Sequence, residues 1–286
     1  MVYLWLVSFL WAFSFGIIKG ALSGLDSFFV ALVRLYLAAL VFAPLLWHAL
    51  RRGHALGRPT RLAGIGALQF GVMYVAYFTS FRFLQAYEVA LFTVFTPLYV
   101  TLFADALERV SPRCRRRSSR VAVAGSMNTS DSQDKPQADF GLGVALELVS
   151  NLAFAIGQVA YKRAMAGPQA PRDQDAIAWL YLGGAGLVGA AALVFTPWGT
   201  AAAQPQAGQW LALLYLGGVA SGLGFFLWNK GARLVNTGVL AVFNNLKAPL
   251  AVAVSLLVFG EQASLPPLLL GGGILLLALW LASAQP

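Results

Sequence analysis

Residues 240–252 read LAVFNNLKAPLAV. Two asparagines, a lysine and a proline stand inside a run that is otherwise apolar from Val239 to Phe259. That run is long enough to cross a bilayer, which takes about 20 residues at roughly 1.5 Å each. Lys247 then lies near the midplane, where a cation costs roughly 2.5–3.5 kcal/mol on insertion scales. A lysine kept at that depth implies a partner or a polar cavity, because its stem reaches only part of the way to an interface. Asn244, three residues earlier, shares its helical face. Pro249, two residues later, frees a backbone carbonyl, as broken helices do at transporter sites.

The rest of the chain reads the same way. Of 286 residues, 59% are hydrophobic and only 11% charged, with a mean hydropathy of +0.71. A soluble domain carries about 25% charged residues, so the composition is that of an integral membrane protein. Apolar runs of about 20 residues, rather than ten-residue alternations, predict helices and exclude a barrel. The net charge of +9 comes from arginines gathered in short polar segments between those runs, which suits membrane orientation better than nucleic-acid binding. Cys114, the single cysteine, cannot form an internal disulfide. The opening stretch, MVYLWLVSFLWAFSFGIIKGAL, lacks a basic n-region and reads as a first spanning helix rather than a cleaved signal.

Nine spans are predicted: Tyr3–Leu22, Phe28–Leu50, Leu62–Leu84, Val89–Leu107, Leu142–Arg163, Ile177–Thr196, Trp210–Asn229, Val239–Phe259 and Leu265–Ala284. The chain also repeats itself. LVSFLWAF (6–13) resembles LVSNLAFA (148–155), and FTVFTPLYV (92–100) resembles NNLKAPLAV (244–252), with Pro97 matching Pro249. Glu108 and Glu261 follow those prolines at similar spacing. Two copies of a five-helix unit are the pattern of secondary transporters, whose substrate site lies at the repeat interface near the midplane. The expected organisation is a first repeat over 1–130, an external linker over 131–140 and a second repeat over 141–286.

One segment departs from this pattern. Where the second copy ends in an apolar helix, the first offers VSPRCRRRSSRVAVAGSMNTS over Val110–Ser130, whose five arginines would cost on the order of 10 kcal/mol to insert. Charge placement nevertheless favours ten crossings with the N-terminus inside. Cytoplasmic loops then hold Arg51, Arg52, Arg58 and Arg61, the Arg109–Arg120 cluster, Lys162, Arg163 and Arg172, and Lys230 with Arg233. External loops hold little beyond Lys19, Arg82 and Lys135. Two readings of Val110–Ser130 stand side by side: a local frame slip in GC-rich coding DNA that has replaced a fifth helix, or a basic cytoplasmic loop.

The two repeats, the opening FLWAFSFG and the P…E endings of the fourth and ninth spans resemble the EamA family of the drug/metabolite transporter superfamily. Longer stretches are similar to the bacterial biotin transporters of that family, the YigM type: DSFFVALVRLYLAALVF, GALQFGVMY, LFTVFTPLYVTL, SNLAFAIGQVAYKR, AWLYLGG and GVASGLGFFLWNKGA. The resemblance implies a ten-helix all-α bundle of two inverted repeats, with both termini cytoplasmic and biotin taken up across the bacterial inner membrane. Two features depart from it: the degenerate fifth helix, and Glu147, a carboxylate in the span after the linker.

Further candidates follow from polar residues inside spans. Arg34 lies about 10 Å inside one helix end and has two readings, substrate contact or pairing with Glu88. Lys19 and Arg82, near helix ends, read as interface anchors. Trp11 and Tyr74 offer flat faces to a fused ring, while Asn151, Gln158 and Asn229 serve either a ligand or a neighbouring helix. The substrate-binding set is thus Lys247, Asn244, Arg34, Trp11, Tyr74, Asn151, Gln158 and Asn229. The glycine clusters SGLG (221–224) and GGG (271–273) read as close-packing devices. His48 and His54 have no spaced carboxylate or cysteine, so neither metal nor cofactor is expected. No paired acids or nucleophile–base spacing within the spans suggests an enzyme. The leading reading is a secondary transporter of a small organic anion. An exporter of amino acids, amines or drugs with the same fold is the alternative, with Glu147 as the carboxylate for a cationic substrate.

Overall fold

The computed structural model describes residues 1–51, 57–84, 88–89, 92–97, 99–100, 102–103, 137–166, 168, 170–235 and 237–258. Helices form its only regular secondary structure among these residues. The first two are α1 (Val2–Ala21) and α2 (Ser27–Arg51). Three consecutive pieces make α3: Gly57–Gly66, a π-helical segment Ala67–Val72, and Met73–Ser80. A 3-10 turn at Thr93–Phe95 marks the fourth span. Then come α4 (Gln137–Ala164) and α5 (Asp173–Phe195). Three more pieces make α6: Ala207–Leu214, a second π segment Tyr215–Leu223, and Gly224–Arg233. The last described helix is α7 (Thr237–Val258).

Five stretches of these helices are long and apolar enough to cross a membrane: Ser27–Trp47, Pro59–Ser80, Asp139–Ala164, Asp173–Phe195 and Ala201–Arg233. The protein is an all-α integral membrane protein. The surface agrees, since Leu40, Leu193, Val194, Phe195, Leu211 and Leu257 are each 63–86% exposed. In water such a surface would drive association; against lipid tails it is the stable arrangement. Val110–Ser130, most of the linker and Leu265–Ala284 lie outside the described residues.

Helix ends follow local chemistry. At the start of α2 the Asp26 carboxylate accepts a hydrogen bond from Phe29 N–H (3.0 Å), satisfying one of the free amide donors of the first turn. A reciprocal pair, Gln206 and Gln209, caps α6. Asp173 and Asp175 occupy the first turn of α5, where negative charge suits the helix dipole. The third span ends at Ser80, four residues before the sequence suggests, because Phe83 and Leu84 N–H both fold back onto its carbonyl. Gly24 and Gly199 both take φ near 86° in the turns after α1 and α5, a conformation that glycine adopts without strain.

Packing brings α3 against α5 with almost no space between backbones. A Cβ placed on Gly183 would lie 1.8 Å from the carbonyl oxygen of Ala63, and one on Gly66 would lie 1.9 Å from that of Leu180. These glycines let the two helices touch, as small residues do in membrane bundles. Each π segment carries a fully buried polar residue, Gln69 in the first and Ser221 in the second.

Candidate functional site

A cavity opens between α1, α2, α3, α4, α6 and the fourth span, with about 600 Å³ of empty space partly continuous with the outside. One face of α1 contributes Trp11, Ser14, Phe15 and Ile18, and one face of α4 contributes Glu147, Ser150, Asn151 and Phe154. Both sets follow helical spacing. Arg34 comes from α2, Met73, Tyr74 and Tyr77 from α3, Thr93 from the fourth span and Phe225 from α6.

Arg34 dominates the electrostatics. It is 4% exposed, and its Nε and Nη2 donate to Ser221 Oγ at 3.2 and 2.9 Å. Its guanidinium carbon stands 5.1 Å from the Tyr74 ring centre and 5.2 Å from that of Phe78, so two aromatic faces support the charge. Nη1 is buried without a hydrogen-bond partner among the described residues. The described contacts of Arg34 are with Ser221, Tyr74 and Phe78.

Ser221 cannot satisfy this arginine fully. Its own proton goes to the Leu216 carbonyl at 2.6 Å, five residues back along the π segment. Tyr74 OH lies 2.6 Å from the same Oγ and must therefore donate. Three donor hydrogens converge on one hydroxyl oxygen with two lone pairs. The guanidinium keeps donor capacity for an incoming anion.

The π segment is held open by side chains. Distant side chains donate to three of its carbonyls. Trp11 Nε1–H donates to Ala220 O at 2.8 Å, while Tyr181 OH reaches Ser221 O and Gly222 O, each at 2.7 Å. Trp11 thus anchors the helix through its nitrogen and lines the cavity with its ring, which lies 5.1 Å from Phe225.

The other candidates divide by position. Asn151 lines the cavity, but both ends of its amide are engaged: Oδ1 accepts from Thr96 Oγ1 (2.8 Å) and Nδ2 donates to Phe92 O (3.0 Å). Glu147 is fully buried in the same cavity and accepts from Ser80 Oγ at 3.3 Å. Gln158 and Asn229 do not line it; they lie one helical turn beyond Phe154 and Phe225. Asn244 is buried on α7 and donates to Leu240 O at 3.2 Å. Lys247 belongs to α7, and its side chain lies outside the described residues. Ser221, the hub of the site, was absent from the sequence-based set because it sits inside SGLG and reads there as a packing residue. Tyr77, Phe154 and Phe225 carry no sequence signal among so many aromatics.

Comparison with known proteins agrees with this architecture. The sequence pattern of the EamA-like transporter family matches residues 1–116 and 141–284. A Salmonella typhimurium protein described as "Biotin transporter" is 39% identical over 283 residues, covering 98% of this chain and 92% of that protein. An Escherichia coli K12 protein of the same description is 40% identical over the same coverage. In Pseudomonas aeruginosa a "Probable biotin transporter" is 39% identical over 291 residues, covering 98% of this chain and 96% of that one. A solved structure described simply as "Crystal structure of protein" superposes with a TM-score of 0.74 over 99% of this chain and 96% of that one, at 19% identity, and shows the fold alone. By its two matched segments and by relatives near 40% identity along its length, the chain belongs to the EamA-like transporter family.

Proposed function

We propose that this protein is a secondary transporter that takes up biotin across the bacterial inner membrane by alternating access. The observation that carries the reading is Arg34: a buried cation in the cavity, with one nitrogen unpartnered among the described residues and the others sharing a single hydroxyl. Such a group matches a carboxylate, which accepts two N–H bonds from one guanidinium. Trp11, Phe154 and Phe225 supply apolar faces for a fused ring, and Lys247 on α7 is a second cation for the same anion. The names of the relatives support biotin in particular. The two family matches support two five-helix repeats rocking about the cavity, and the basic loops support cytoplasmic termini. Uptake of labelled biotin by cells lacking their own transporter, with and without this gene, tests the reading. Uptake that needs the gene and fails with Arg34→Gln supports it; gene-independent uptake overturns it.

A second reading rests on Glu147, buried in the same cavity. A carboxylate there suits export of an amine or amino acid by the same fold. Gene-dependent efflux of a cationic substrate, unaffected by biotin, would favour it.

A further inference from the structure

Beyond the cavity floor lies a layer of side-chain amides. Counting four residues along each helix from the lining residues Met73, Phe154 and Phe225 gives Gln69, Gln158 and Asn229. All three steps lead away from the end where α1 gives way to α2 and where Arg82 stands. The three amides are at most 1% exposed. Gln69 Nε2 donates to Asn229 Oδ1 at 3.0 Å, and Gly157 lets α4 close on Gln69, since a Cβ there would fall 2.3 Å from Gln69 Cβ. Aromatic rings separate this layer from the cavity: Phe154 and Phe225 have centres 6.1 Å apart, with Trp228 6.4 Å from Phe154.

The layer is markedly under-bonded among the described residues. Gln69 Oε1, Asn229 Nδ2 and both Gln158 amide atoms are buried without a hydrogen-bond partner. Buried polar groups are ordinarily paired, and leaving them unpaired is costly. Together they offer two acceptors, Gln69 Oε1 and Gln158 Oε1, and two donors, Gln158 Nε2 and Asn229 Nδ2. A cyclic urea carries the complementary set: two N–H donors facing outward beside one carbonyl acceptor.

We propose that Gln69, Gln158 and Asn229 form an inner subsite for the cyclic urea of the substrate, reached when the Phe154 and Phe225 rings turn aside. This deepens the biotin reading and rests on it. Tyr74, whose ring supports Arg34, is five residues from Gln69, or roughly 7–8 Å along the helix. A carboxylate at Arg34 and a urea at the amide layer therefore suit one extended molecule with an acid at one end and a urea at the other.

The test uses the purified full-length protein, labelled biotin, and two competitors: biotin itself and an analogue with both urea nitrogens methylated. In the parent protein the methylated analogue should compete at least tenfold more weakly. In Gln158→Leu and Asn229→Leu, biotin should weaken by a similar factor and the preference over the analogue should vanish. Thermal unfolding of Gln158→Leu without ligand should be unchanged or shifted upward, because an apolar side chain replaces an amide with no partner among the described residues, whereas Asn229→Leu also strips Gln69 Nε2 of its acceptor and should unfold at a lower temperature. Equal competition by both ligands in the parent overturns the subsite, whatever the variants do, while leaving biotin transport standing. Lower stability of Gln158→Leu with both ligands weakened alike makes the amides structural and also overturns it. Absence of biotin binding to the parent overturns the transport reading and this inference together.

Discussion

Arg34 and Ser221, 187 residues apart in sequence, meet inside the bundle through hydrogen bonds of 3.2 and 2.9 Å. The contact ties α2 to the π segment of α6. It also sets the donor balance of the cavity, because Ser221 Oγ accepts from Tyr74 as well. Replacing Ser221 with alanine removes an acceptor shared by a charged and a neutral donor. Hydrogen bonds to charged groups contribute about 1.5–3 kcal/mol, so Ser221→Ala should lower the unfolding temperature of the purified protein. Saturating biotin should raise that temperature more in the variant than in the parent, since the anion then replaces the missing acceptor. An unchanged unfolding temperature would show that Arg34 does not depend on Ser221.

Tyr181 is expected to act on the same segment from the other side. Its hydroxyl serves two π-segment carbonyls, Ser221 O and Gly222 O. Tyr181→Phe keeps the ring contacts with Phe70 and Phe42 but removes this donor from both carbonyls, while Ser221 O keeps the Gly224 N–H, a loss of about 0.5–1.5 kcal/mol. Thermal unfolding of the variant should shift down accordingly, and biotin affinity should fall with it if the π segment positions Ser221. Stability equal to the parent's would mean that the carbonyls find other partners.

The close approach of α3 and α5 gives a purely structural prediction. Gly183→Ala would bring a methyl group to 1.8 Å from Ala63 O, which requires the helices to separate, whereas Gly186 has nothing within 4 Å of an added Cβ. Folded yield in membranes should drop sharply for Gly183→Ala and stay at the parent level for Gly186→Ala. Similar yields would place the contact elsewhere.

Orientation follows from the basic loops. In a Cys114→Ser background, a cysteine at Gly53 should be shielded from an impermeant external thiol reagent, and one at Gln206 should react. Reaction at Gly53 alone would invert the topology.

The fold was legible because a bilayer leaves few options: a helix must present about 20 apolar residues, and such runs are visible by eye. The positions of α1, α2, α4, α5, α6 and α7 follow those runs. The two π segments were not legible, since a single widened turn leaves the apolar pattern intact. The carbonyl partners of the second, Trp11 and Tyr181, come from distant parts of the chain. Arg34 was legible as a charge inside an apolar run; its partner Ser221 was not, because a serine among glycines satisfies membrane packing without any ligand. Gln158 and Asn229 stood out as polar residues, yet only the structure shows Asn229 bonded to Gln69. The roles of Lys247 and of Val110–Ser130 rest on sequence alone.

The central claim is that a buried cation in this cavity holds the carboxylate of biotin. Its most direct test is competition against labelled biotin uptake by unlabelled biotin and by its uncharged carboxamide, in the parent and in Arg34→Gln. Given the strength of charge-assisted hydrogen bonds, the carboxamide should compete roughly ten- to hundredfold more weakly in the parent. That difference should shrink or vanish in Arg34→Gln. Equal competition by biotin and its carboxamide in the parent protein would contradict the account.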